Sequence, residues 1–182
     1  MRMSAQPAAA DATFPLIAVF DDAETAERAY AACVQRGYEI GEVNVVVSEG
    51  TRRKLLKSGE RAQAELATRQ AQGGELGGPK GGRAGLLVTV FAAVGAAVVV
   101  PAIGFAAGPL AIAMTAAGVA GVAGSLIAVM GHWGVPVDRV QAYQADIRKG
   151  AILMSLEARS VADANEIADE WRKLGGRSIH IA

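Results

Sequence analysis

Cys33 is the only cysteine in the chain, and His132 and His180 are the only histidines. No His/Cys cluster at metal-ligand spacing can be assembled from three such scattered residues, so neither a metal nor another cofactor is expected. Cys33 lies among Ala29, Tyr30 and Val34, which reads as a small buried hydrophobe rather than a redox centre. The glycine-rich stretch 73–82 contains Lys80, but Gly81 follows it where a phosphate loop needs Ser or Thr, and no apolar strand leads into it. Its composition is that of a flexible linker. Gly-x-Ser-x-Gly nucleophile signatures are absent as well. No catalytic residue is expected, and the chain reads as a protein that is not an enzyme. Two polar residues on apolar strands, Asn44 and His180, are the ligand candidates; ordinary strand residues are the commoner explanation of both.

A second group of residues could engage a surface. Arg52, Arg53, Lys54, Lys57 and Arg61 form a basic cluster, whereas residues 1–50 are acidic, and the two cancel into a formal net charge of zero. Nucleic-acid binding on an open sheet needs stacking aromatics, and 151–156 and 178–181 have none. No nucleic-acid partner is expected. Beside an apolar segment the cluster fits anionic lipid headgroups, worth about 1 kcal/mol per basic residue near the surface; a solvated charged helix is the alternative.

That apolar segment is the dominant feature of the chain. Residues 84–137 hold no Asp, Glu, Lys or Arg. Pro101 and Gly108-Pro109 divide it into 84–100 and 110–130, which as helices reach about 25 Å and about 31 Å, close to a bilayer core of about 30 Å. Two passes are expected, in a hydrophobic hairpin over 84–131. Ala113, Ala117, Gly121 and Ser125 recur every fourth position in the second pass, a small-residue, glycine-zipper row suited to close helix packing and to a homo-oligomer. The absence of ionisable groups in the run argues against an ion path. With no secretory apolar core at the N-terminus and the basic residues before the run, the positive-inside rule implies a multi-pass protein of the cell inner membrane with both termini cytoplasmic. The second pass is poor in Leu, however, so a soluble oligomer that buries the hairpin between subunits is the main rival, and a small-residue pore is another.

Positioning all this are two strand-helix-strand units. Residues 1–13 read as a disordered leader. In the first unit, 14–50, an apolar strand at 16–20 leads to Asp21 or Asp22 as a helix cap, with an apolar stripe at Ala26, Ala29, Tyr30, Cys33 and Val34, Gly37 as the stop, and a β-branched strand at 43–47. Residues 51–83 hold a basic helix and the linker. The second unit, 132–182, has a strand at 151–156, a helix opened by Ser160, and a last strand at 178–181. Two such units pack as an α+β, ferredoxin-like split βαβ domain. Ile17, Val19, Val46 and Leu153 then form an apolar sheet face away from the helices. Either a second copy covers it, or the 137–149 helix does, through Val140, Tyr143 and Ile147.

Gly134-Val135-Pro136-Val137-Asp138, Tyr143 and Arg148-Lys149-Gly150-Ala151-Ile152-Leu153-Met154 resemble a bacterial general stress protein-like family. Members pair an opening like Ala18-Val19-Phe20-Asp21-Asp22 and a helix ending like Gly37-Tyr38 with a Gly/Ala-rich apolar middle. The resemblance implies a stress-associated membrane protein and carries over no catalytic residue; the chain as a whole reads as a self-associating scaffold or regulator.

Overall fold

A computed structural model describes residues 14–39, 41–57, 98–100, 104–108, 111 and 124–182. The elements in chain order are β1 (Phe14–Phe20), α1 (Ala23–Gln35), β2 (Val43–Val47), α2 (49–57), β3 (Val98–Val100) and β4 (Gly104–Ala107). They continue with α3 (Gly124–His132), α4 (Val137–Arg148), β5 (Ile152–Ala158), α5 (Val161–Lys173) and β6 (Arg177–Ile181).

Local chemistry starts and stops the two main helices. Asp22, in extended conformation, caps α1 by accepting from Thr25 N at 2.8 Å, so Asp22 rather than Asp21 holds this position. Ser160 caps α5 the same way, accepting from Asp163 N at 3.1 Å. Each cap satisfies one of the backbone donors that a helix start leaves without a partner. Gly37, with φ +85°, ends α1 in the left-handed conformation that costs glycine no Cβ clash.

The strands order as β3-β4-β2-β5-β1-β6, and every neighbouring pair is antiparallel. Four consecutive strands, β2-β5-β1-β6, come from the two strand-helix-strand units, and their interleaving gives an α+β architecture consistent with the ferredoxin-like class. Period-2 alternation sends one set of side chains to each face. Leu16, Ala18, Phe20, Val43, Val45, Val47, Met154 and Leu156 join Tyr30, Cys33, Ile167 and Trp171 from α1 and α5 in the first core. Trp171 is wholly buried, stacks edge-on against Phe20 at 5.8 Å between centroids, and donates its indole N–H to Ala29 O at 3.3 Å.

Ile17, Val19, Val46 and Leu153 point to the other face, as expected, and the chain itself covers them. Val140, Tyr143 and Ile147 of α4, together with Ala111, Val135 and the α3 residues Leu126 and Met130, complete a second buried cluster there. Of the two covers expected for this face, the α4 helix is the one present.

The apolar segment departs from its expected form. Val98–Val100, expected as the end of a first helical pass, is a strand, and Gly104–Ala107, expected in the turn between passes, is its hairpin partner, which pairs in turn with β2 through Val45–Ala107 and Val47–Phe105. A Cβ on Gly104, at φ +143°, would lie 2.0 Å from Val47 O, so only glycine lets β4 approach β2 here. Leu126 and Met130, expected inside the second pass, are 0% exposed against the sheet. The reason is that β-branched residues beside an open sheet edge can satisfy their backbone groups by extending that sheet, and apolar helix residues beside an uncovered sheet face can bury there. The other residues of the two expected passes, 84–97, 110 and 112–123, lie outside the described residues apart from Ala111, as do the leader 1–13 and the linker. Among the described residues no helix is long and apolar enough to cross a membrane.

Candidate functional site

The two ligand candidates share a sheet face but not a site. Register pairs Asn44 with Ser155, Ser155 with Ile17, and Ile17 with His180, so the four form one row across the sheet on the α4 side. Three strand spacings separate the ends of that row, about 14 Å. Asn44 is buried at the β4 side, where a Cβ on Gly108 would meet its Oδ1 at 2.8 Å. Ser155, in the middle, is wholly buried, and its Oγ has no hydrogen-bond partner in the described structure. Gln144 of α4 is the third buried polar residue.

His180 has the richer surroundings. It lies on β6, an edge strand with an extra residue: β1 advances from Ile17 to Val19 while β6 runs from His180 back to Arg177. Ser178 within this bulge has φ +52°, the sole positive φ of a non-glycine residue among the described residues. Bulges bend an edge strand and re-aim its side chains. α4 runs antiparallel to β6 and is fastened to it rung by rung. Arg177 Nη1 bonds Asp146 Oδ2 at 2.7 Å, and Tyr143 donates its hydroxyl to Ser178 O at 2.8 Å. One turn of helix further, about 6 Å from Tyr143, sits Arg139, while two residues of strand beyond Ser178, about 6.6 Å, is His180. Burial first and the Arg139 charge second push the His180 imidazole below its ordinary value. The Tyr143 hydroxyl is pushed up by burial, with Arg139 bonding to it and opposing the shift.

Other polar groups hold elements together. Arg36 at the end of α1 bridges to Glu166 and Glu170 of α5, both at 3.0 Å. Tyr38 donates to the Asp163 carboxylate, and the Arg159 guanidinium lies 4.3 Å over the Tyr38 ring. Arg177 also grips Asp21, whose carboxyl it holds below the usual range. Cys33 is wholly buried and its thiol is pushed up to about 12 by burial, the opposite of an activated nucleophile. Among the described residues no three His, Cys, Asp or Glu side chains group as a metal site.

The lipid-headgroup candidates sit on α2. Arg53, Lys54 and Lys57 are exposed, with Arg53 paired to Glu49 at 2.8 Å; Arg52 is half-buried, and Arg61 lies outside the described residues. Thr51 donates to Gly150 O at 3.0 Å and so brings α2 beside Arg148 and Lys149 at the end of α4. Of the helix-packing row, Ala113, Ala117 and Gly121 lie outside the described residues. Ser125 is the second residue of α3, next in sequence to the buried Leu126. The contact of Tyr143 with Ser178 O was not legible in the sequence, because no local signal marks α4 as facing a strand residue 35 positions beyond Tyr143.

The fold defines an α+β protein with one sheet covered on both faces. Comparison of the chain with protein-family models, with curated proteins and with solved structures gave no match in any of the three.

Proposed function

We propose that this protein is a non-enzymatic, self-associating scaffold or regulator whose working part is the apolar insert between β2 and α4. The observation that carries this reading is that Ala106, Ala111, Leu126 and Met130 are buried on the domain's own sheet. With α1 and α5 on one face and α3 and α4 on the other, the central sheet is occupied on both sides, which leaves the insert as the distinctive surface. A run so rich in Gly and Ala suits burial between copies, where small residues allow close backbone approach. A stress-related role rests on the family resemblance of 134–154.

The second reading is a two-pass inner-membrane hairpin with a cytoplasmic ferredoxin-like domain. It is favoured by the charge-free length of 84–137 and by the exposed cations of α2. Alkaline carbonate extraction, followed by light scattering without detergent, separates the two. Release as a defined oligomer supports the assembly; retention in the membrane pellet refutes it and supports the hairpin. Leakage from liposomes at low protein occupancy would instead indicate a pore.

A further inference from the structure

We propose that Arg53, Lys54 and Lys57 of α2 and Arg148 and Lys149 at the end of α4 form one cationic surface that docks the protein on an anionic lipid bilayer. All of them are exposed. They are brought together by a bonded contact: Thr51 Oγ1 donates to Gly150 O at 3.0 Å, across 99 positions of chain. Thr51 is itself fixed at the start of α2, where its backbone N–H donates to Ser48 Oγ at 3.2 Å and Arg52 N donates to Ser48 O at 2.9 Å. One turn on, Leu55 is 4% exposed in the first core. The helix is therefore pinned at its start and at its middle, and Lys54, three residues after Thr51, lies on the helix face that carries Thr51.

The protein's own carboxylates do not neutralise this surface. Glu49, the acid of α2, is held by Arg53 at 2.8 Å, and Asp146, the acid in the last turns of α4, is held by Arg177 at 2.7 Å. Lys54, Lys57 and Lys149 pair with no carboxylate among the described residues. The formal net charge of the chain is zero, so attraction to an anionic surface has to come from how the charge is distributed. Two observations favour lipid over nucleic acid. Neither α2 nor 148–151 holds an aromatic side chain on which a base could stack. The charge-free run also returns to the sheet at this end: Val47, which precedes Ser48 and α2, pairs with Phe105, Val100 pairs with Gly104, and a Cβ on Gly104 would lie 2.6 Å from Ser48 Cα. Cations bordering an apolar segment match a bilayer surface, which offers anionic headgroups beside hydrocarbon.

The test is co-sedimentation of the full chain with vesicles of phosphatidylcholine alone and of phosphatidylcholine mixed with phosphatidylglycerol. Binding is expected to the anionic vesicles, and raising sodium chloride from about 0.05 M to about 0.5 M should release it, because the Debye length falls about threefold. Lys54→Gln combined with Lys149→Gln should lower the partition coefficient about 25-fold, at about fivefold per basic residue near the surface. Arg28→Gln combined with Lys173→Gln, which removes the same charge from exposed positions on α1 and α5, should change it less than about twofold. Equal binding to both vesicle types, no binding to either, or an equal effect of the two double variants overturns the proposal. Binding that survives salt overturns it in favour of insertion of the apolar run, and preferential capture of polyuridylate added as competitor overturns it in favour of nucleic acid. The result is separate from the oligomer measurement, since a soluble assembly and a membrane hairpin can each carry this surface.

Discussion

Replacing Leu126 with Ala decides whether the end of the apolar run belongs to the folded domain. Leu126 is 0% exposed and shares its cluster with Met130, Val140, Ile147 and the sheet residues Ile17, Val46 and Leu153. The substitution removes three carbons, about 2.4 kcal/mol at about 0.8 kcal/mol per buried methylene. A residual cavity adds to that, and measured Leu→Ala losses in cores run to about 5 kcal/mol. We expect about 3 kcal/mol, equivalent to a fall in Tm of about 6–12 °C for a chain of this size. Urea unfolding followed by tryptophan fluorescence in a Trp133→Phe background is the assay, because Trp133 packs on Leu126's own cluster whereas Trp171 lies in the first core, on the opposite side of the sheet from Leu126. A loss of stability seen at Trp171 therefore requires both faces to unfold as one unit. Ala128→Ser, at an exposed position on the same helix, is the control, with a change expected below about 0.5 kcal/mol. If Leu126→Ala leaves the midpoint where the control leaves it, α3 does not support the sheet, and the reasoning that draws the insert into the domain fails.

Glu27 on α1 is half-buried, and burial, aided by the neighbouring Glu24 charge, pushes its carboxyl up to about 7. Its folded value lies above its unfolded one, so the stability it contributes is complete below about pH 4.5 and is lost as the pH rises through 7. Glu27→Gln should accordingly match the wild type in thermal melts at acidic pH and exceed it at pH 8; equal melts at both would remove burial as the cause. Cys33 should resist thiol reagents in the native protein and react at the rate of unfolding, which a denaturant series read by absorbance will reveal; prompt native labelling would contradict its burial.

Much of the ferredoxin-like body was legible because its signals are local. Asp22 and Ser160 announce helices through hydrogen bonds three residues away, Gly37 stops one through its φ, and the stripe of Ala26, Ala29, Tyr30 and Cys33 repeats within a few turns. The amphipathic face of α4 was readable for the same reason, and so was the need to cover Ile17 and Val19. The fate of the apolar run was not. Lipid and a sheet's uncovered face make the same demand of a side chain, so the absence of charge from 84–137 could not choose between them.

The sequence by itself determined where helices and strands of the two main units begin and which of their faces are apolar. Tertiary structure decided the rest: that Val98–Val100 and Gly104–Ala107 extend the sheet from β2, that Leu126 and Met130 close its second face, and that Tyr143 of α4 reaches Ser178 O on β6. Each of these depends on partners tens of residues apart, whose pairing is set by open hydrogen-bonding edges and uncovered apolar area that exist only after the chain has folded.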